Sequence, residues 1–401
     1  MTSTATRSVL KIVWVMWIAL GIFGVEATEA DSTSEERRIV VVADIHGALE
    51  PLRIILRQAD LIDEEDEWIG GSSVLVQTGD ILDRGTGARG AAELLQSLQK
   101  KAERQGGEVV VLLGNHETLN LTMDLRDVTS DIAAAFARKR SEKRRNQYCD
   151  RLTERWRKRL RKRGKQGNSK IFSAECRENT PAGLLEYVEA LEPGGSLGRW
   201  LRRLPIIAEV DGWLFVHGGL SEVYAESSVD ELNRRVSEEI ARFDRLRGGL
   251  LQRGLITSTT RFKEIVEVSR ALHQVSAQRG REMDRVFAED LASMESLKSW
   301  AIFDPDGPLW FRGYARWSDE EGEEKVSRIL TAQQAKGVVV GHTPQKSRSV
   351  TGRFDNRIWL IDTGMLAEVY GGRPSALEIL GDRLTAIYPD ERQPLAGPKS
   401  Q

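Results

Sequence analysis

The sequence predicts an α/β fold in which buried strands alternate with helices. Six short runs rich in valine, isoleucine and leucine have the composition of strands that are covered on both faces. The first three runs begin 35 residues apart, at Arg38, Ser73 and Glu108, with helical sequence between them. This alternation is typical of βαβ units in a parallel sheet. With 401 residues, the chain is long enough to bury a large core.

The predicted strands share a further feature, because most of them end in a polar residue. They cover residues 38–44, 73–80, 108–115, 213–217, 337–342 and 358–362, and the first two intervening helices cover 49–59 and 89–104. Ligands of parallel sheets bind just beyond the carboxyl ends of the strands. We therefore expect these polar residues to converge in space although they lie far apart in the sequence.

The N-terminal segment, residues 1–27, is predicted to be a signal peptide or a signal anchor. Arg7 and Lys11 precede an unbroken apolar run at 12–25, and small residues allow cleavage after Ala27. This run is shorter than the roughly 20 residues that a membrane-spanning helix needs, which favours a cleaved signal over an anchor. A buried core helix fits poorly because the run has no amphipathic period. Either signal directs the chain to the secretory pathway, as a secreted, lumenal or anchored protein.

The rest of the chain is predicted to form one main domain at 38–390, after a polar linker at 28–37 and before a flexible tail at 391–401. Within this domain, residues 131–203 look like a basic helical insertion. Residues 229–297 alternate arginine and glutamate at helical spacing, which predicts an amphipathic layer facing solvent.

The densest basic segment, residues 138–165, has two interpretations. Such a run binds lipid headgroups, nucleic acid or an acidic protein in some chains, and is a solvated helix face in others. The net charge of −2 gives the whole chain no attraction to nucleic acid and argues against that partner. An anionic partner and a solvated surface therefore both stay open.

The two cysteines, Cys149 and Cys176, are too few for a disulfide scaffold. They would pair if the chain enters an oxidising lumen, whereas free thiols are equally consistent with their spacing.

Five short motifs at the ends of predicted strands carry the chemistry. They are Asp-x-His-Gly at 44–47, Gly-Asp-x-x-Asp-Arg-Gly at 79–85, Gly-Asn-His-Glu at 114–117, His-Gly-Gly at 217–219 and Gly-His-Thr at 341–343. Four of the five histidines of the chain lie in these motifs, and only His273 lies outside. Each motif alone would fit an ordinary turn. Their joint occurrence in this order indicates a functional site instead.

The ordered set resembles metallophosphoesterases of the phosphoprotein-phosphatase superfamily. Four further segments, at 119–126, 307–314, 340–344 and 361–365, are similar to the Shewanella-like protein phosphatases. The resemblance covers residues 38–390 apart from the basic insertion. It implies a calcineurin-like metallophosphoesterase β-sandwich flanked by helices, with α-β-β-α layers and a helical insertion.

The resemblance also implies a site for two metal ions. One metal would be held by Asp44, His46 and Asp80, and the second by Asp80, Asn115, His217 and His342. Asp80 would then bridge the two cations. Nitrogen and oxygen ligands without a thiolate suit manganese, iron or zinc.

The remaining roles concern the phosphate ester itself. His116 is implied to be the general acid, oriented by Asp83, because a carboxylate fixes the tautomer of an imidazole and keeps it protonated. Arg84, Arg312 and Asn115 are implied to bind the substrate phosphate, and arginine suits this role because it forms bidentate hydrogen bonds. A surface salt bridge is the alternative for Arg312.

The implied activity is hydrolysis of phosphomonoesters on proteins through a water activated by the two metals, with a preference for phosphotyrosine. One alternative is hydrolysis of dinucleoside polyphosphates by the same fold, since bacterial enzymes for that reaction share these motifs. The other is a non-catalytic binding protein with a phosphatase-like fold. Its usual sign is a lost ligand, and every expected ligand is present here.

Overall fold

The computed structural model describes residues 36–279 and 284–398. The predicted signal or anchor at 1–27, most of the linker at 28–37 and the last three residues therefore lie outside the described residues. From Arg37 onward the chain forms one compact unit. Among the described helices, none combines the length and the apolar character needed to span a membrane.

The first sheet contains three of the predicted strands and three that we did not predict. Its members are β1 (Ile39–Val42), β2 (Val74–Gln77), β3 (Glu108–Val111), β9 (Ala376–Leu380), β10 (Arg383–Ile387) and β11 (Arg392–Leu395), in the order β11-β10-β9-β1-β2-β3. β1, β2 and β3 are parallel, and α1 (Leu49–Gln58) and α2 (Ala88–Glu103) form the predicted crossovers between them. β9, β10 and β11 extend the sheet in antiparallel fashion.

The second sheet holds the other three predicted strands. It consists of β4 (Ile207–Val210), β5 (Trp213–Val216), β6 (Gly337–Val340), β7 (Thr351–Arg353) and β8 (Ile358–Leu360), in the order β4-β5-β6-β8-β7. Its centre, β5-β6-β8, is parallel, and β4 and β7 are antiparallel edge strands.

The sheets pack face to face, because alternate side chains of each strand point in opposite directions. In β1, Val41 contributes to the same buried cluster as Phe215 and Val339 of the second sheet. Its neighbour Val40 belongs to the outer cluster together with Leu52 of α1. The molecule is therefore a β-sandwich with helices on its outer faces, as the resemblance implies.

The remaining helices follow the two predicted helical regions and the site loops. They are α3 (Asn115–Leu121), α4 (Ser130–Ala134), α5 (Ser141–Lys162), α6 (Ser169–Glu178), α7 (Leu184–Leu191), α8 (Ser196–Leu201), α9 (Val229–Gln252), α10 (Phe262–Arg279), α11 (Arg285–Ser293), α12 (Gly313–Arg316), α13 (Asp319–Gln333) and α14 (Ala367–Tyr370). The region predicted as an insertion thus contains α4 to α8. α5 carries most of the basic residues and is largely exposed, whereas α7 packs into the core.

Cys149 of α5 and Cys176 of α6 form a disulfide, with their Cα atoms 5.7 Å apart. The fully buried Cys149 packs with Tyr148 and Leu185 in a small separate cluster. The pairing that the sequence left open is therefore present in the structure, and it joins the two exposed helices of the insertion.

The prediction of a flexible tail from residue 391 is wrong for its first part. Arg392–Leu395 forms β11, which pairs with β10 through registers such as Leu384 with Leu395. Three of its four residues are exposed, and Pro394 is tolerated because the strand lies at the edge of the sheet. The polar composition concealed a strand whose position depends on backbone pairing.

Candidate metal centre and active site

The five motifs meet where the parallel strands of both sheets end. Asp44 and Asp80 follow β1 and β2, Asn115 opens α3 after β3, and His217 and His342 follow β5 and β6. Each of these side chains is buried. The backbone N–H of His342 donates a hydrogen bond to Asp44 Oδ1, which joins positions 298 residues apart. The fold therefore gathers the predicted residues as the parallel strands imply.

The loops that carry these residues have an uncommon backbone conformation. The left-handed region is adopted by His46 (φ 46°), Asp80 (φ 56°), Asp83 (φ 70°), Arg84 (φ 65°) and His342 (φ 65°). For a residue other than glycine, this conformation raises the free energy of the folded state by about 1–3 kcal/mol. Such strain persists only where the surroundings enforce it, so the contacts around these five motif residues must hold them in place.

Glu117 is one group that enforces these loop conformations. Its Oε2 accepts hydrogen bonds from the backbone N–H groups of Asp80 (2.8 Å) and Gly114 (2.9 Å). Its Oε1 accepts from Ile81 and Leu82, both at 2.9 Å. This fully buried carboxylate therefore ties the loop after β2 to the start of α3. Glu117 belongs to the third motif, but its place in the sequence gives no indication of this role.

Asp80 lies at the centre of the predicted metal ligands. Its Oδ2 is 3.5 Å from His46 Nε2 and 3.3 Å from His217 Nε2. The candidate ligand atoms of Asp80, His217 and His342 all lie within 4.8 Å of one another. His46, Asp80 and His116 form a second group on the same criterion. Asp80 is the residue that both groups share, which is the place of a bridging ligand.

The two aspartates each keep one oxygen free for a ligand. Asp44 Oδ1 accepts the N–H of His342 at 2.9 Å, and Asp80 Oδ1 accepts the N–H of His116 at 3.0 Å. Their Oδ2 atoms face His46 Nε2, at 3.8 Å from Asp44 and 3.5 Å from Asp80. Backbone hydrogen bonds therefore fix the orientation of both carboxylates toward the site.

Backbone carbonyls orient the three candidate histidine ligands. His46 Nδ1–H donates to the carbonyl of Leu82 (3.1 Å), and His217 Nδ1–H donates to that of Thr78 (3.0 Å). These bonds leave Nε2 of both rings available as a ligand atom. His342 donates from Nε2–H to the carbonyl of Trp310 (3.2 Å), so its Nδ1 is the nitrogen that is available as a ligand atom. Such outer hydrogen bonds are characteristic of metal-binding histidines.

The electrostatics of the carboxylates favour a cation. Burial raises the pKa of Asp44 well above its usual value, and the nearby charges of Asp362 and Asp80 raise it further. Burial acts in the same direction on Asp80, but the neighbouring His217 and His116 outweigh it and hold the pKa of Asp80 well below its usual value. Several carboxylates in one buried place are stabilised when positive charge lies among them.

The histidines divide into two electrostatic classes. Burial lowers the pKa of His46 to about 3 and that of His342 to about 2, so both rings are neutral and carry a lone pair. At His116, burial is outweighed by the charge of Asp80 and the hydrogen bond to Asp83, and the pKa rises to about 9. The pKa of His217 is also raised, since Asp80 outweighs burial there. His116 is thus set apart from His46 and His342 as a proton donor.

His116 is held by a second buried carboxylate. His116 Nδ1 donates to Asp83 Oδ2 at 2.8 Å, and the same oxygen accepts from Asn120 Nδ2 at 2.8 Å. The Nε2 atom of His116 faces the metal centre, 3.9 Å from Asp80 Oδ2. This arrangement matches the predicted pairing of His116 with Asp83, and adds Asn120 to it.

The two predicted arginines border the same cavity. Arg84 places Nη1 3.1 Å from His46 Nε2 and Nη2 3.1 Å from His116 Nε2. Arg312 donates through Nη1 to the carbonyl of His342 (2.8 Å) and to Thr343 Oγ1 (3.0 Å). Arg312 is therefore directed into the site by its hydrogen bonds, and the alternative of a surface salt bridge is wrong.

The cavity at the site has a volume of about 310 Å³ and contains both arginines and the candidate ligands Asp44, His46, Asp80 and His342 in its lining. A second cavity of about 570 Å³ adjoins it and shares Leu119, Arg126, Trp310 and Arg312. Phe262, Phe303 and Trp317 line this second cavity, which we name the aromatic groove. An extended ligand can therefore occupy both spaces at once.

Three residues near the site were missed by sequence reasoning. Tyr370 stacks on the ring of His46, with centroids 5.6 Å apart, and lies under the guanidinium of Arg84. Asp127 Oδ2 lies 3.8 Å from His116 Nδ1, and Tyr187 donates to Asn120 Oδ1. Asp127 and Tyr187 come from segments without a recognisable motif, so only the folded chain places them here.

The donor set fits two metal ions and a phosphate ester. Carboxylate oxygens, an amide oxygen and imidazole nitrogens face one another, with His217 Nε2 2.9 Å from Asn115 Oδ1. A cation between such atoms satisfies all of them, and their hardness suits first-row divalent metals. In the lining of the same cavity, the guanidinium groups of Arg84 and Arg312 and the imidazole of His116 offer complementary charge to a phosphate.

Comparisons with known proteins agree with this chemistry. The family model described as calcineurin-like phosphoesterase matches residues 37–346. Shewanella-like protein phosphatase 1 of Plasmodium berghei is 25% identical over 347 residues, which are 86% of this chain and 71% of the relative. Shewanella-like protein phosphatase 2 of Arabidopsis thaliana is 32% identical over 206 residues, half of each protein.

A solved structure shares the fold. The cold-active protein-tyrosine phosphatase of a psychrophilic Shewanella species superposes with a TM-score of 0.57 and 22% identity. The superposition covers 90% of this chain and 80% of the other. The two-sheet arrangement and its flanking helices are therefore common to both proteins.

Proposed function

The chain belongs to the calcineurin-like phosphoesterase family, and from its site we propose that it is a protein phosphatase that hydrolyses phosphomonoesters with two bound metal ions. The observation that carries this proposal is the position of Asp80 Oδ2 between His46 Nε2 (3.5 Å) and His217 Nε2 (3.3 Å), with His116 and Arg84 beside these ligands in the lining of the same cavity. Candidate metal ligands and candidate phosphate-binding groups thus line the same cavity.

The metal ions would be held by the six predicted ligands. The first metal would be held by Asp44, His46 and Asp80. The second would be held by Asp80, Asn115, His217 and His342. When bound, the metals supply Lewis acidity, which activates the attacking water and polarises the phosphoryl group. The protein contributes the orientation of each ligand through hydrogen bonds to Leu82, Thr78 and Trp310.

His116 acts on the leaving group. Its protonated Nε2 faces the cavity, so it donates a proton to the oxygen that departs from phosphorus. Asp83 stabilises the protonated ring through its 2.8 Å hydrogen bond to Nδ1. A general acid matters most when the leaving oxygen is strongly basic, as in a serine or threonine alkoxide.

Arg84 and Arg312 bind the nonbridging phosphate oxygens. The hydrogen bonds of Arg312 to His342 and Thr343 use Nη1 and leave other N–H donors of its guanidinium for the ligand. Tyr370 under Arg84 limits the rotation of that guanidinium. The Oδ1 atom of Asn115 faces His217, so Asn115 serves chiefly as a metal ligand.

We propose phosphoproteins as the substrate class, with a preference for phosphotyrosine. Two relatives are named protein phosphatases and the Shewanella protein is named a protein-tyrosine phosphatase, and these names support the assignment. The aromatic groove that continues from the catalytic cavity provides room for the residues beside a phosphorylated side chain. Trp310 and Tyr370 in the cavity provide aromatic surface for a phenyl ring.

A substrate comparison tests the proposal. Purified protein reconstituted with Mn²⁺, Fe²⁺ or Zn²⁺ is assayed on one peptide carrying phosphotyrosine or phosphoserine, and on diadenosine tetraphosphate. We expect metal-dependent release of phosphate from the peptides, with a higher kcat/KM for phosphotyrosine. Faster turnover of diadenosine tetraphosphate would replace this proposal with the dinucleoside polyphosphate hydrolase. Inactivity on all three, with metal bound, would favour a non-catalytic binding protein.

We further propose that the chain enters the secretory pathway. The apolar run at 12–25 supports this, and so does the pairing of Cys149 with Cys176, because structural disulfides persist in oxidising compartments. Mass spectrometry of the protein purified from secreting cells tests it. We expect an N-terminus after Ala27 for a cleaved signal, and an intact N-terminus with membrane association for an anchor.

A further inference from the structure

The helical insertion reaches the catalytic pair through one side chain. Tyr187 of α7 is fully buried, and its hydroxyl donates a hydrogen bond to Asn120 Oδ1 at 2.6 Å. Asn120 Nδ2 donates to Asp83 Oδ2 at 2.8 Å, and Asp83 Oδ2 accepts from His116 Nδ1 at 2.8 Å. An unbroken chain of hydrogen bonds thus links α7 to the general acid.

The direction of these hydrogen bonds is determined by chemistry. The amide nitrogen of Asn120 must face Asp83 Oδ2 and the carbonyl of His116, because both of these atoms are acceptors. Its oxygen therefore faces Tyr187, and the hydroxyl is the donor. Reversing the amide would place two pairs of acceptors in contact. Tyr187 and Asp83 consequently hold Asn120 in one orientation.

Asp83 depends strongly on this support. Its Oδ2 accepts from His116 and Asn120, whereas its buried Oδ1 has no hydrogen-bond partner among the residues that the structure describes. Within the described part of the chain, Asn120 is then the only group besides His116 that orients this carboxylate by hydrogen bonding. If Asn120 rotates, Asp83 and the His116 ring lose a fixed position.

The position of Tyr187 is itself well supported. Its ring packs edge-on against Phe136, with centroids 4.7 Å apart. Gly183, which precedes α7, has φ 96° and lies so close to Ala133 that an added Cβ would collide with the Ala133 carbonyl. The start of α7 is therefore packed tightly against α4, which holds the phenol in place.

We propose that Tyr187 is a positioning residue for the general acid His116, and that α7 of the insertion supports catalysis by this contact. This rests on the function proposed above. The hydroxyl does not touch substrate. It satisfies Asn120 Oδ1, so that Asn120 holds Asp83 and Asp83 aims the imidazole at the leaving oxygen. The insertion would then contribute to the rate of leaving-group departure as well as to the fold.

Tyr187→Phe tests this, because it removes only the hydroxyl. Tyr148→Phe is the matched control, since the buried Tyr148 also lies in the insertion and its hydroxyl forms a hydrogen bond with Thr259 Oγ1 (2.7 Å). Both variants and the native protein are compared on phenyl phosphate and on 2,4-dinitrophenyl phosphate, whose acidic phenol departs without protonation. Metal content and melting temperature are measured in parallel.

We expect Tyr187→Phe to lower kcat on phenyl phosphate about tenfold, a part of what a general acid contributes, with KM changed less than about twofold. On 2,4-dinitrophenyl phosphate its kcat should stay within about twofold, and Tyr148→Phe should change neither substrate. Equal losses on both substrates, or no loss on phenyl phosphate, would overturn the proposal. A native protein inactive on both esters would instead contradict the proposed function.

A second variant covers the case in which Tyr187→Phe does not fold. Asn120→Ala removes the donor to Asp83 and should show the same selective loss on phenyl phosphate. Where both single variants fold, the double variant should lose no more than Asn120→Ala alone, because both changes break one chain of hydrogen bonds. Additive losses would show that Tyr187 acts by another route and would overturn the proposal.

Discussion

The carboxylate of Glu117 accepts the backbone N–H of Asp80 at 2.8 Å and thereby holds the central ligand of the metal site in its left-handed conformation. The same carboxylate accepts three further backbone N–H groups, from Ile81, Leu82 and Gly114. Glu117 is fully buried, so its carboxylate takes the place of water as the hydrogen-bond partner of these four N–H groups. A side chain outside the predicted ligand set therefore determines where Asp80 lies.

Glu117→Gln should destabilise the fold. The amide has one acceptor oxygen, so two of the four backbone donors would face an NH₂ group and lose their partner. We expect the free energy of unfolding to fall by about 2–3 kcal/mol, the cost of leaving buried donors unsatisfied. Urea denaturation measures it. Glu103→Gln, at an exposed position in α2, should change stability by less than about 0.5 kcal/mol. Similar values for the two variants would contradict this role.

Asp80→Asn should empty the metal site. Asp80 Oδ2 lies 3.5 Å from His46 Nε2 and 3.3 Å from His217 Nε2, and an amide at this position removes the negative charge that attracts the cations. We expect metal measured by mass spectrometry to fall below half of the native content, and activity to fall more than about 100-fold. Full metal content in the purified variant would show that Asp80 is not the shared ligand.

His116→Asn should separate catalysis from metal binding. The variant loses the proton donor but keeps the six predicted ligands, so metal content should stay near that of the native protein. On phosphoserine peptides, kcat should fall by about 100-fold or more, with a much smaller loss on 2,4-dinitrophenyl phosphate. Loss of metal together with activity would instead place His116 among the ligands, where its distance of 3.9 Å from Asp80 Oδ2 would allow it to contribute.

Arg312→Lys should weaken phosphate binding without removing the charge. Lysine cannot provide the planar fork that donates to His342, Thr343 and a phosphate at once. We expect kcat/KM to fall about tenfold and the inhibition constant of inorganic phosphate to rise by a similar factor. Arg383→Lys, at an exposed position of β10, is the control and should behave as the native protein. An unchanged phosphate inhibition constant would place Arg312 outside the phosphate site.

Replacing both cysteines by alanine should lower the free energy of unfolding, because the unfolded chain gains conformational entropy without the disulfide. The disulfide joins positions 27 residues apart, and a loop of this length corresponds to about 3.5 kcal/mol in the chain-entropy description. Equilibrium unfolding of the variant and of the native protein, with and without reductant, measures the difference. Reductant should have no effect on the variant, and a native protein equally unaffected would contradict a stabilising disulfide.

Much of the fold was accessible from sequence because central strands carry a local signature. A strand buried on both faces must be apolar along its length, which made β1, β2, β5, β6 and β8 recognisable. β3 lies at the edge of its sheet and begins at the exposed Glu108, but its three consecutive valines still indicated a strand. β10 and β11 lack this signature, since Arg383 and Arg392 begin strands with exposed positions. Their place depends on pairing with β9 and with each other, which is a property of the backbone in three dimensions.

The chemical inventory of the site was likewise determined by the sequence alone. The types and order of Asp44, Asp80, His217 and His342 at strand ends indicated a functional site, and the resemblance to metallophosphoesterases implied that they are metal ligands. Only the tertiary structure decided which atom of each side chain faces the centre, how Glu117 holds the loops, and that Tyr187 reaches Asn120 across 67 positions. These contacts join segments distant in the chain, and hydrogen-bond geometry between such segments leaves no local pattern to read.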